Sequence, residues 1–438
     1  MKIVHCADIH LGRRRLDGRL PDIDFATAFR FIVQRALDWP ADVFLIAGDF
    51  FDTPQIPPPT LRQAAEALAP LRDAKIPVIA IEGNHDRHLL NTDRPTWVRY
   101  LAEEHLLTLL STPFTSDGPQ LTAYDSATMS GSWIVIDDVR FVGAGYLGAG
   151  TVRKTKALLA TLPAHQGPTV MLLHAGPEYF VGEGGGFDRE TLAALRDKIT
   201  YLALGHVHRP MAHGESGRAW ALNPGSVEHW RLDEAMREEP RGYAEVEIQR
   251  DALPGMELTR TEICNVSRRP VVAMEVDVSP FGNKTKRGAD AIAAAALKEL
   301  KKRGLAPETA VHMALVGDLN IGRIALEPAR MGVELAEAAG IAAVEVTADR
   351  LRFFTGRSSA QPSLLNRSSA EIERAALGEL LHQRPPRDLE DRLGEVAELA
   401  VAMRGLVERG DSAEAVIEHL ERSPLPAVLV EARNKSLG

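Results

Sequence analysis

The sequence has little cysteine and no long apolar run. Two cysteines, Cys6 and Cys264, are too few for a disulfide framework, so a reducing compartment is the simplest expectation. No apolar stretch approaches the roughly 18 residues of a membrane span, and Asp8 is reached before the apolar core of a signal peptide could develop. We therefore expect a cytoplasmic protein without a membrane segment, in which Cys6 is a buried strand residue.

An excess of positive charge is also absent. The 51 Lys and Arg residues are outnumbered by 60 Asp and Glu residues, which gives a formal net charge of -9. This balance argues against nucleic-acid binding through a uniformly basic surface, although a site that holds two dications would be locally positive. The overall charge therefore constrains the class of partner only weakly.

The chain is too long for one compact core. Its 438 residues, of which 45% are hydrophobic and 25% charged, have the composition of an ordinary globular protein with two or three domains. No internal repeat is visible. The pattern of apolar and polar residues changes near Ser267. A connector rich in Ser, Gln, Pro and Asn begins after Phe353. These changes predict three parts, which cover 1–266, 267–353 and 354–438.

The first part alternates short apolar runs with amphipathic stretches, which is typical of a layered α/β domain. Strands are expected at 3–5, 43–47, 78–81, 170–173 and 201–204, and helices at 25–37 and 61–71. Further strands near 133–143 and 218–248 predict a second sheet, and hence a β-sandwich flanked by helices. The second part is expected to be a small α+β unit, and the third a connector followed by helical segments.

Five short polar blocks each follow one of the expected strands. Because loops at the carboxyl ends of strands are where open α/β sheets bind ligands, the blocks are expected to converge on one site. A lone histidine at a strand end is usually structural, but a chance assembly of five such blocks is improbable. The blocks are Asp8-Ile9-His10, Gly48-Asp49-Phe50-Phe51-Asp52, Gly83-Asn84-His85-Asp86, His174, and Gly205-His206-Val207-His208.

The blocks contain a complete ligand set for two metal ions. Two ions about 3.5 to 4 Å apart can polarise a phosphoryl oxygen and supply a nucleophile at neutral pH. We expect Asp49 to bridge them, with Asp8, His10 and His208 completing one site and Asn84, His174 and His206 the other. Carboxylate, amide and imidazole ligands together suit Mn, Fe or Zn better than Ca or Mg, and Mn is the first expectation.

His85 is spare in this ligand count and is the expected general acid, which would protonate the leaving oxygen. Asp52 could accept a hydrogen bond from its imidazole, and a carboxylate partner keeps a histidine charged. We therefore predict an orienting pair of Asp52 and His85. The alternative is that Asp52 only caps the Pro-rich turn that follows it.

The blocks and their flanking residues resemble the calcineurin-type metallophosphoesterases. The resemblance narrows to the SbcD branch and its archaeal and eukaryotic relatives, the meiotic-recombination-eleven nucleases. It implies a four-layer αββα sandwich with a small α+β capping domain that binds DNA and a helical C-terminal region. The residues that carry it are His10-Leu11-Gly12, Gly48 to Asp52, Leu61-Arg62, Leu71-Arg72, Ile81 to Arg87, and Asn223-Pro224-Gly225-Ser226.

For activity, the resemblance implies a Mn-dependent nuclease that acts 3′ to 5′ on duplex ends and as an endonuclease on single strands or hairpins. It also implies a coiled-coil ATPase partner of the SbcC type, and we expect a homodimer. Asp52 departs from the archaeal and eukaryotic pattern, in which His is typical, and favours the bacterial branch. Two rivals stay open: a phosphatase or cyclic-nucleotide phosphodiesterase, and a scaffold that tethers DNA ends.

A nuclease must also hold the phosphates of its substrate, usually through Arg and Lys. Basic residues next to the blocks and in the small unit are the expected DNA contacts, although most short basic runs are simply solvated faces. Arg19 belongs to the first of these groups. The residues with this assignment are Arg13, Arg14, Arg15, Arg87, Arg209, Lys284, Lys286 and Arg287.

Near the C-terminus, apolar residues at alternating spacings of four and three predict an amphipathic helix. The stripe must be buried against something. It could fold back on the chain, but the resemblance favours docking on the coiled coil of the ATPase partner. The residues expected to contact the partner are Leu389, Leu393, Val396, Met403 and Val407.

Overall fold

The computed structural model describes residues 1–87, 95–181, 186–237, 239–256, 258–281, 287–319, 326–353 and 392–408. The chain divides into two compact units, Met1–Gly356 and Arg357–Gly438. No helix of the described residues is long and apolar enough to cross a membrane.

The described strands are numbered β1 to β17 and the helices α1 to α9. The strands are β1 Lys2–Cys6, β2 Val43–Ala47, β3 Val78–Ile81, β4 Thr108–Leu109, β5 Phe114–Thr115, β6 Gly118–Pro119, β7 Trp133–Ile136, β8 Val139–Gly145, β9 Thr169–Leu173, β10 Tyr201–Leu204, β11 Met211–His213, β12 Ala221–Asn223, β13 Gly242–Glu247, β14 Arg260–Asn265, β15 Val271–Asp277, β16 Ala310–Leu319 and β17 Ala343–Phe353. The helices are α1 Ile23–Asp38, α2 Pro58–Asp73, α3 Trp97–Glu103, α4 Thr151–Thr161, α5 Glu178–Val181, α6 Arg189–Arg196, α7 Arg287–Arg303, α8 Pro328–Ala339 and α9 Leu393–Glu408.

Two six-stranded sheets form the centre of the first unit. Their strand orders are β14-β13-β1-β2-β3-β4 and β11-β12-β10-β9-β8-β7. The strands β1, β2 and β3 are parallel, as are β9 and β10. Strand β2 is buried at every residue, as expected for a central parallel strand covered on both faces.

Three apolar cores separate four layers. Val43, Phe141 and Val170 belong to the core between the sheets, whereas Phe29 and Leu68 belong to a core that packs α1 and α2 on the first sheet. On the outer side of the second sheet, a third core includes residues of α4 and α6. The expected αββα sandwich is therefore confirmed, and the strands predicted at the five blocks lie within a residue or two of the observed ones. Cys6 is buried in β1, as expected.

A third sheet, of parallel strands β15-β16-β17, lies after residue 270 and has its own apolar core with α7 and α8. Helix α8 was not expected from the sequence. Two parallel neighbours such as β16 and β17 need a crossover connection, and α8 provides it. Pro328 at the start of α8 and Gly340, with φ 69°, just past its end are the local signals of such a helix. The three predicted domain ranges stay predictions.

In the second unit the described segment is α9, which coincides with part of the predicted C-terminal helix. Leu393 is buried and Val396 half-buried. Leu389, and the side chains of Met403 and Val407, lie outside the described residues. Contact of this stripe with a partner stays a prediction.

Candidate metal centre

All five polar blocks lie directly beyond the carboxyl ends of central strands. Asp8 follows β1, Asp49 follows β2 and Asn84 follows β3 in the first sheet, while His174 follows β9 and His206 follows β10 in the second. Parallel strands present their carboxyl ends at one edge of a sheet, so the two stacked sheets bring the five loops to one place.

Main-chain hydrogen bonds tie the first two blocks together. The amide of Asp8 donates to the carbonyl of Gly48 at 3.1 Å, and the amides of Ile9 and His10 donate to the carbonyl of Asp49 at 2.9 and 3.1 Å. The relative position of these two loops is therefore set by the backbone, before any side-chain contact.

The third block is joined to the second by Asp86. Its buried carboxylate accepts hydrogen bonds from the main-chain amides of Phe50 at 3.2 Å, Phe51 at 2.9 Å and Gly83 at 2.8 Å. Sequence reasoning gave Asp86 no role. It contributes to the site by holding the loops that carry Asp49 and Asn84 together.

Two glycines allow the blocks to approach each other so closely. A Cβ atom on Gly83 would overlap with Oδ1 and the amide nitrogen of Asp49, and one on Gly48, which has φ +92°, would overlap with the imidazole of His174. Glycine accepts positive φ and lacks the obstructing atom. These two residues are therefore required by the packing of the site.

The first donor group is formed by Asp8, His10 and His208, whose ligand atoms lie within 4.8 Å of one another. The Nε2 atoms of His10 and His208 are 3.1 Å apart, and His208 Nε2 lies 3.9 Å from Asp8 Oδ1. Asp8 and His10 are fully buried. Both oxygens of Asp8 also accept from the amide of His206 at 3.0 Å, which fixes the carboxylate.

The second donor group is formed by Asp49, His174 and His206, with the amide oxygen of Asn84 among them. Asn84 Oδ1 lies 3.2 Å from His174 Nε2 and 3.0 Å from His206 Nδ1. His174 Nδ1 donates to the carbonyl of Ala47 at 2.8 Å. This bond occupies Nδ1, so Nε2 is the nitrogen that faces the group, as in a metal-ligating histidine.

Asp49 belongs to the second group and also lies close to the first. Its Oδ2 lies 3.1 Å from His174 Nε2 and 3.8 Å from His10 Nε2, while Oδ1 accepts from the amide of His85 at 2.9 Å. Burial opposes ionisation of Asp49, but the adjacent His174 and His10 hold the pKa of its carboxyl well below the usual range. One ionised oxygen between two groups of donors is the arrangement of a bridging ligand.

The donor chemistry fits two divalent cations. The seven residues supply two carboxylates, one amide oxygen and four imidazoles, a mixture that suits transition metals better than Ca or Mg. The imidazoles of the centre differ in their electrostatics. Although burial lowers the pKa of His174, the Asp49 carboxylate overrides burial and raises it to about 9, whereas burial lowers the pKa of His206 to about 3 and also lowers the pKa of His10.

His85 lies beside the first group without belonging to the seven. Its ring meets that of His10 edge to face, with 4.8 Å between centroids. Its Nδ1 donates to the main-chain carbonyl of Asp52 at 2.7 Å. Nε2 is therefore the ring nitrogen that can exchange a proton with a bound substrate. This placement is compatible with the predicted role of general acid.

The predicted pairing of the Asp52 carboxylate with His85 is wrong, because the partner of His85 is the carbonyl of Asp52. The carboxylate turns to other side chains. Its Oδ1 lies 3.3 Å from His10 Nδ1 and accepts from Trp230 Nε1 at 3.2 Å, and its Oδ2 lies 3.5 Å from Arg13. A carboxylate with these partners is also not a simple cap for the following turn.

Two residues at the site were missed by sequence reasoning, Trp230 and Glu234. Both belong to the segment after β12. Glu234 Oε1 lies 3.6 Å from His208 Nδ1, and its other oxygen accepts from Arg241 at 2.6 Å. No periodic pattern or motif marks residues 227–234 in the sequence, and only the fold brings them to the metal centre.

The arginines predicted to contact DNA differ in their surroundings. Arg14 and Arg19 are exposed. Arg15 is not available to a phosphate, because its side chain is 3% exposed and is bound by Asp24 at 2.8 Å and by the carbonyl of His229 at 2.9 Å. Its assignment as a DNA contact is therefore corrected to a structural one, and the cause is burial.

The other predicted DNA contacts are partly engaged or outside the described part. Arg13 stacks over the indole of Trp230, while Arg87 pairs with a glutamate at 2.8 Å and Arg209 with one at 2.5 Å. Lys284 and Lys286 lie outside the described residues, as does the side chain of Arg287, whose backbone begins α7.

Comparison with known proteins gives matches to one class. A family model described as calcineurin-like phosphoesterase matches residues 1–210. The chain is 31% identical to the DNA double-strand break repair protein Mre11 of Archaeoglobus fulgidus, over 54% of this chain and 52% of that protein. It is 29% identical to the Mre11 protein of Aeropyrum pernix, over 64% of this chain and 65% of that protein. It is 30% identical to SbcD, a component of the nuclease SbcCD of Bacillus subtilis, over 62% of this chain and 71% of that protein.

The chain spans about half to two thirds of the length of these archaeal relatives. Among solved structures, a dimetal phosphatase from Danio rerio superposes with a TM-score of 0.34 at 13% identity, over 56% of this chain and 92% of that chain. That similarity is too low to bear on the function.

The sandwich fold and the two converging donor groups define a calcineurin-like phosphoesterase, a class that implies bound divalent metal ions. Within this class, the chain belongs to the family of the Mre11 and SbcD proteins.

Proposed function

We propose that this protein is a Mn-dependent DNA nuclease, a 3′ to 5′ exonuclease on duplex ends and an endonuclease on single strands and hairpins. The proposal depends most on the position of Asp49 close to both donor groups, with His85 beside them. Its relatives are named as a double-strand break repair protein and as part of a nuclease, which supports DNA as the substrate.

The proposed roles follow from the contacts. Asp8, His10, His208 and Asp49 would hold one ion, and Asn84, His174, His206 and Asp49 the other. When bound, the two ions supply Lewis acidity at the phosphoryl oxygen and a nucleophile at neutral pH. His85, oriented by the carbonyl of Asp52, donates a proton from Nε2 to the leaving oxygen. A fixed donor of this kind contributes about 10² to 10⁴-fold to a rate.

A basic cleft next to the metal centre supports a polyanionic substrate. It has a volume of about 600 Å³ and lies between the loop after β1, the segment around Trp230, and the edge of the third sheet. Arg14, Arg19 and Arg231 line it and are exposed. Arginines of this kind bind phosphates irrespective of base sequence, as a nuclease that acts on any DNA end requires.

Digestion of end-labelled duplex and hairpin DNA with Mn²⁺ tests the proposal. We expect His85→Asn to lose at least about 10²-fold in cleavage rate, because the proton donor is removed, while it binds the same number of metal ions as the wild type. His165→Asn is the matched control, since His165 belongs to neither donor group and its ring bonds the carbonyl of Asp138 at 3.0 Å.

Two results would count against a nuclease with these roles. Loss of the metals from the His85 variant would show that His85 is a ligand. Rapid hydrolysis of a small phosphodiester by a wild type that leaves DNA intact would favour the rival phosphatase or cyclic-nucleotide phosphodiesterase. A scaffold that tethers DNA ends would show neither activity, although all seven proposed ligands and His85 are present in the chain.

The proposed partner is a coiled-coil ATPase of the SbcC type, in keeping with the name of the Bacillus relative as one part of SbcCD. The predicted contact residues are those of the C-terminal stripe, and the proposed assembly contains a homodimer of this chain. Deletion of 354–438 should abolish co-purification with the ATPase and leave Mn-dependent cleavage of single strands unchanged. Co-purification of the truncated protein with the ATPase would contradict the assignment of the C-terminal stripe as the partner contact.

A further inference from the structure

Trp230 lies against the first donor group, although its position in the sequence is remote from four of the five blocks. Its ring centroid is 5.3 Å from that of His208, 6.0 Å from that of His10 and 6.3 Å from that of His85. The side chain is half-buried and also lines the basic cleft. The indole therefore borders both the metal centre and the cleft.

The indole nitrogen is connected to a proposed metal ligand through one carboxylate oxygen. Trp230 Nε1 donates to Asp52 Oδ1 at 3.2 Å, and the same oxygen lies 3.3 Å from His10 Nδ1. The second contact does not meet hydrogen-bond geometry, and Nδ1 of His10 has no hydrogen-bond partner among the described residues. Nε2 of His10 faces the donor group, so Nδ1 is the nitrogen on the side of the ring that points away from it. The Asp52 carboxylate lies next to this Nδ1.

Arg13 holds the other side of this carboxylate. Its guanidinium lies 3.9 Å from the centroid of the Trp230 ring, and its Nη1 is 3.5 Å from Asp52 Oδ2. Cation–π stacking at this distance is favourable. Asp52 is thereby held at one oxygen by an indole N–H and at the other by an arginine, both supported by the same ring.

The other donor group is supported in a different way. The outer nitrogen of His174 donates to the carbonyl of Ala47, a main-chain atom of β2. No side chain has to be placed for that contact. The orientation of His174 thus depends on the sheet, whereas the orientation of His10 depends on three side chains.

We propose that Trp230 is a positioning residue of the metal centre, which holds the Asp52 carboxylate behind His10 and thereby sets the affinity of the first donor group for its ion. The inference rests on the proposed metal-binding function. A carboxylate behind a ligating histidine fixes its tautomer and ring orientation and raises its basicity, and loss of such support typically costs about 10- to 100-fold in metal affinity.

Titration of the full-length, metal-free protein with Mn²⁺ in a calorimeter tests this role without any substrate. Trp230→Phe keeps an aromatic ring at this position and removes the N–H donor together with the five-membered part of the indole. We expect this variant to weaken the binding of one of the two Mn²⁺ ions about tenfold or more. The affinity for the other ion and the melting temperature should stay unchanged. Asp52→Asn should weaken the binding of the same ion. Trp97→Phe is the matched control, because Trp97 lies on α3 and packs on Tyr100.

Wild-type affinity for both ions in Trp230→Phe would overturn the proposal, as would equal weakening of both, since that result indicates a general loss of structure. A wild type that binds two ions but cleaves no DNA would count against the proposed nuclease alone and leave the role of Trp230 supported by the titration. A wild type that binds no second ion would overturn both.

Discussion

At the scale of single residues, four residues of the metal centre have a backbone conformation that is uncommon for residues other than glycine. Asp8, His10, Asp49 and His206 have φ values of 51°, 47°, 50° and 82°, in the left-handed region where non-glycine residues are uncommon. Such conformations cost about 1 to 3 kcal/mol each and persist where the surrounding structure enforces them. Their concentration in four proposed ligands indicates that the site is held in place at the expense of stability.

Gly83 gives the prediction that belongs to this scale. Gly83→Ala places a Cβ atom against Asp49 Oδ1, so the proposed bridging carboxylate must move. We expect Mn²⁺ binding, measured by calorimetry, to weaken at both ions because Asp49 is the proposed bridge between the two groups. Gly304→Ala is the control: its φ is +58° with nothing within 4 Å, so it should cost about 1 to 2 kcal/mol of stability without changing the metal affinity. Unchanged binding in Gly83→Ala would show that Asp49 does not bridge.

At the scale of elements, the strands were predictable and the contacts of the loops were not. The apolar runs of β1, β2, β3, β9 and β10 identified both the strands and the loops that carry the ligands. The segment after β12 has no such pattern, so Trp230 and Glu234 were missed. Arg13 and Arg15 are two residues apart in one basic run, yet one stacks half-buried on an indole and the other is fully enclosed by its partners.

The loop after β1 gives the prediction for this scale. If Arg14 and Arg19 contact phosphates, their joint replacement by Ala should weaken DNA binding for all sequences alike and reduce the slope of log K against log salt by about 2. Fluorescence anisotropy of a labelled duplex over a salt series measures this slope. Arg30→Ala/Arg72→Ala removes the same charge from α1 and α2 and should leave the slope unchanged. An equal loss in both double variants would indicate a general charge effect instead of a footprint.

At the scale of the whole molecule, a cluster of partly buried charges joins the third sheet to the sandwich within the first unit. Asp24, in the first turn of α1, binds Arg15 at 2.8 Å and Arg269 through both oxygens at 2.8 and 2.9 Å. Arg269 precedes β15 and also donates to the carbonyl of Glu308 at 2.9 Å. The cleft of the proposed substrate site lies between the same two parts, so this cluster also bears on its width.

Asp24→Asn should therefore destabilise the protein by about 1.5 to 3 kcal/mol, because Arg15 and Arg269 each lose a charged hydrogen-bond partner, although Arg15 keeps Glu228 at 3.4 Å. Urea unfolding measures the loss. Asp73→Asn, which breaks an exposed pair with Arg72, should change the stability by less than about 1 kcal/mol. If the Asp24 variant is as stable as the control, Arg15 and Arg269 are satisfied by other groups and the cluster does not fasten the two parts.

The sequence by itself determined the layered fold, the five loops and the seven proposed ligands. Strands and the polar residues that end them are local patterns, and parallel strands carry their carboxyl ends to one edge of a sheet. Only the tertiary structure decided that His85 is oriented by a carbonyl, that the Asp52 carboxylate faces His10, that Arg15 is buried, and that Trp230 stands beside the proposed metal ligands. Those facts depend on which side chains meet across segments far apart in the chain, and no local spacing encodes such a meeting.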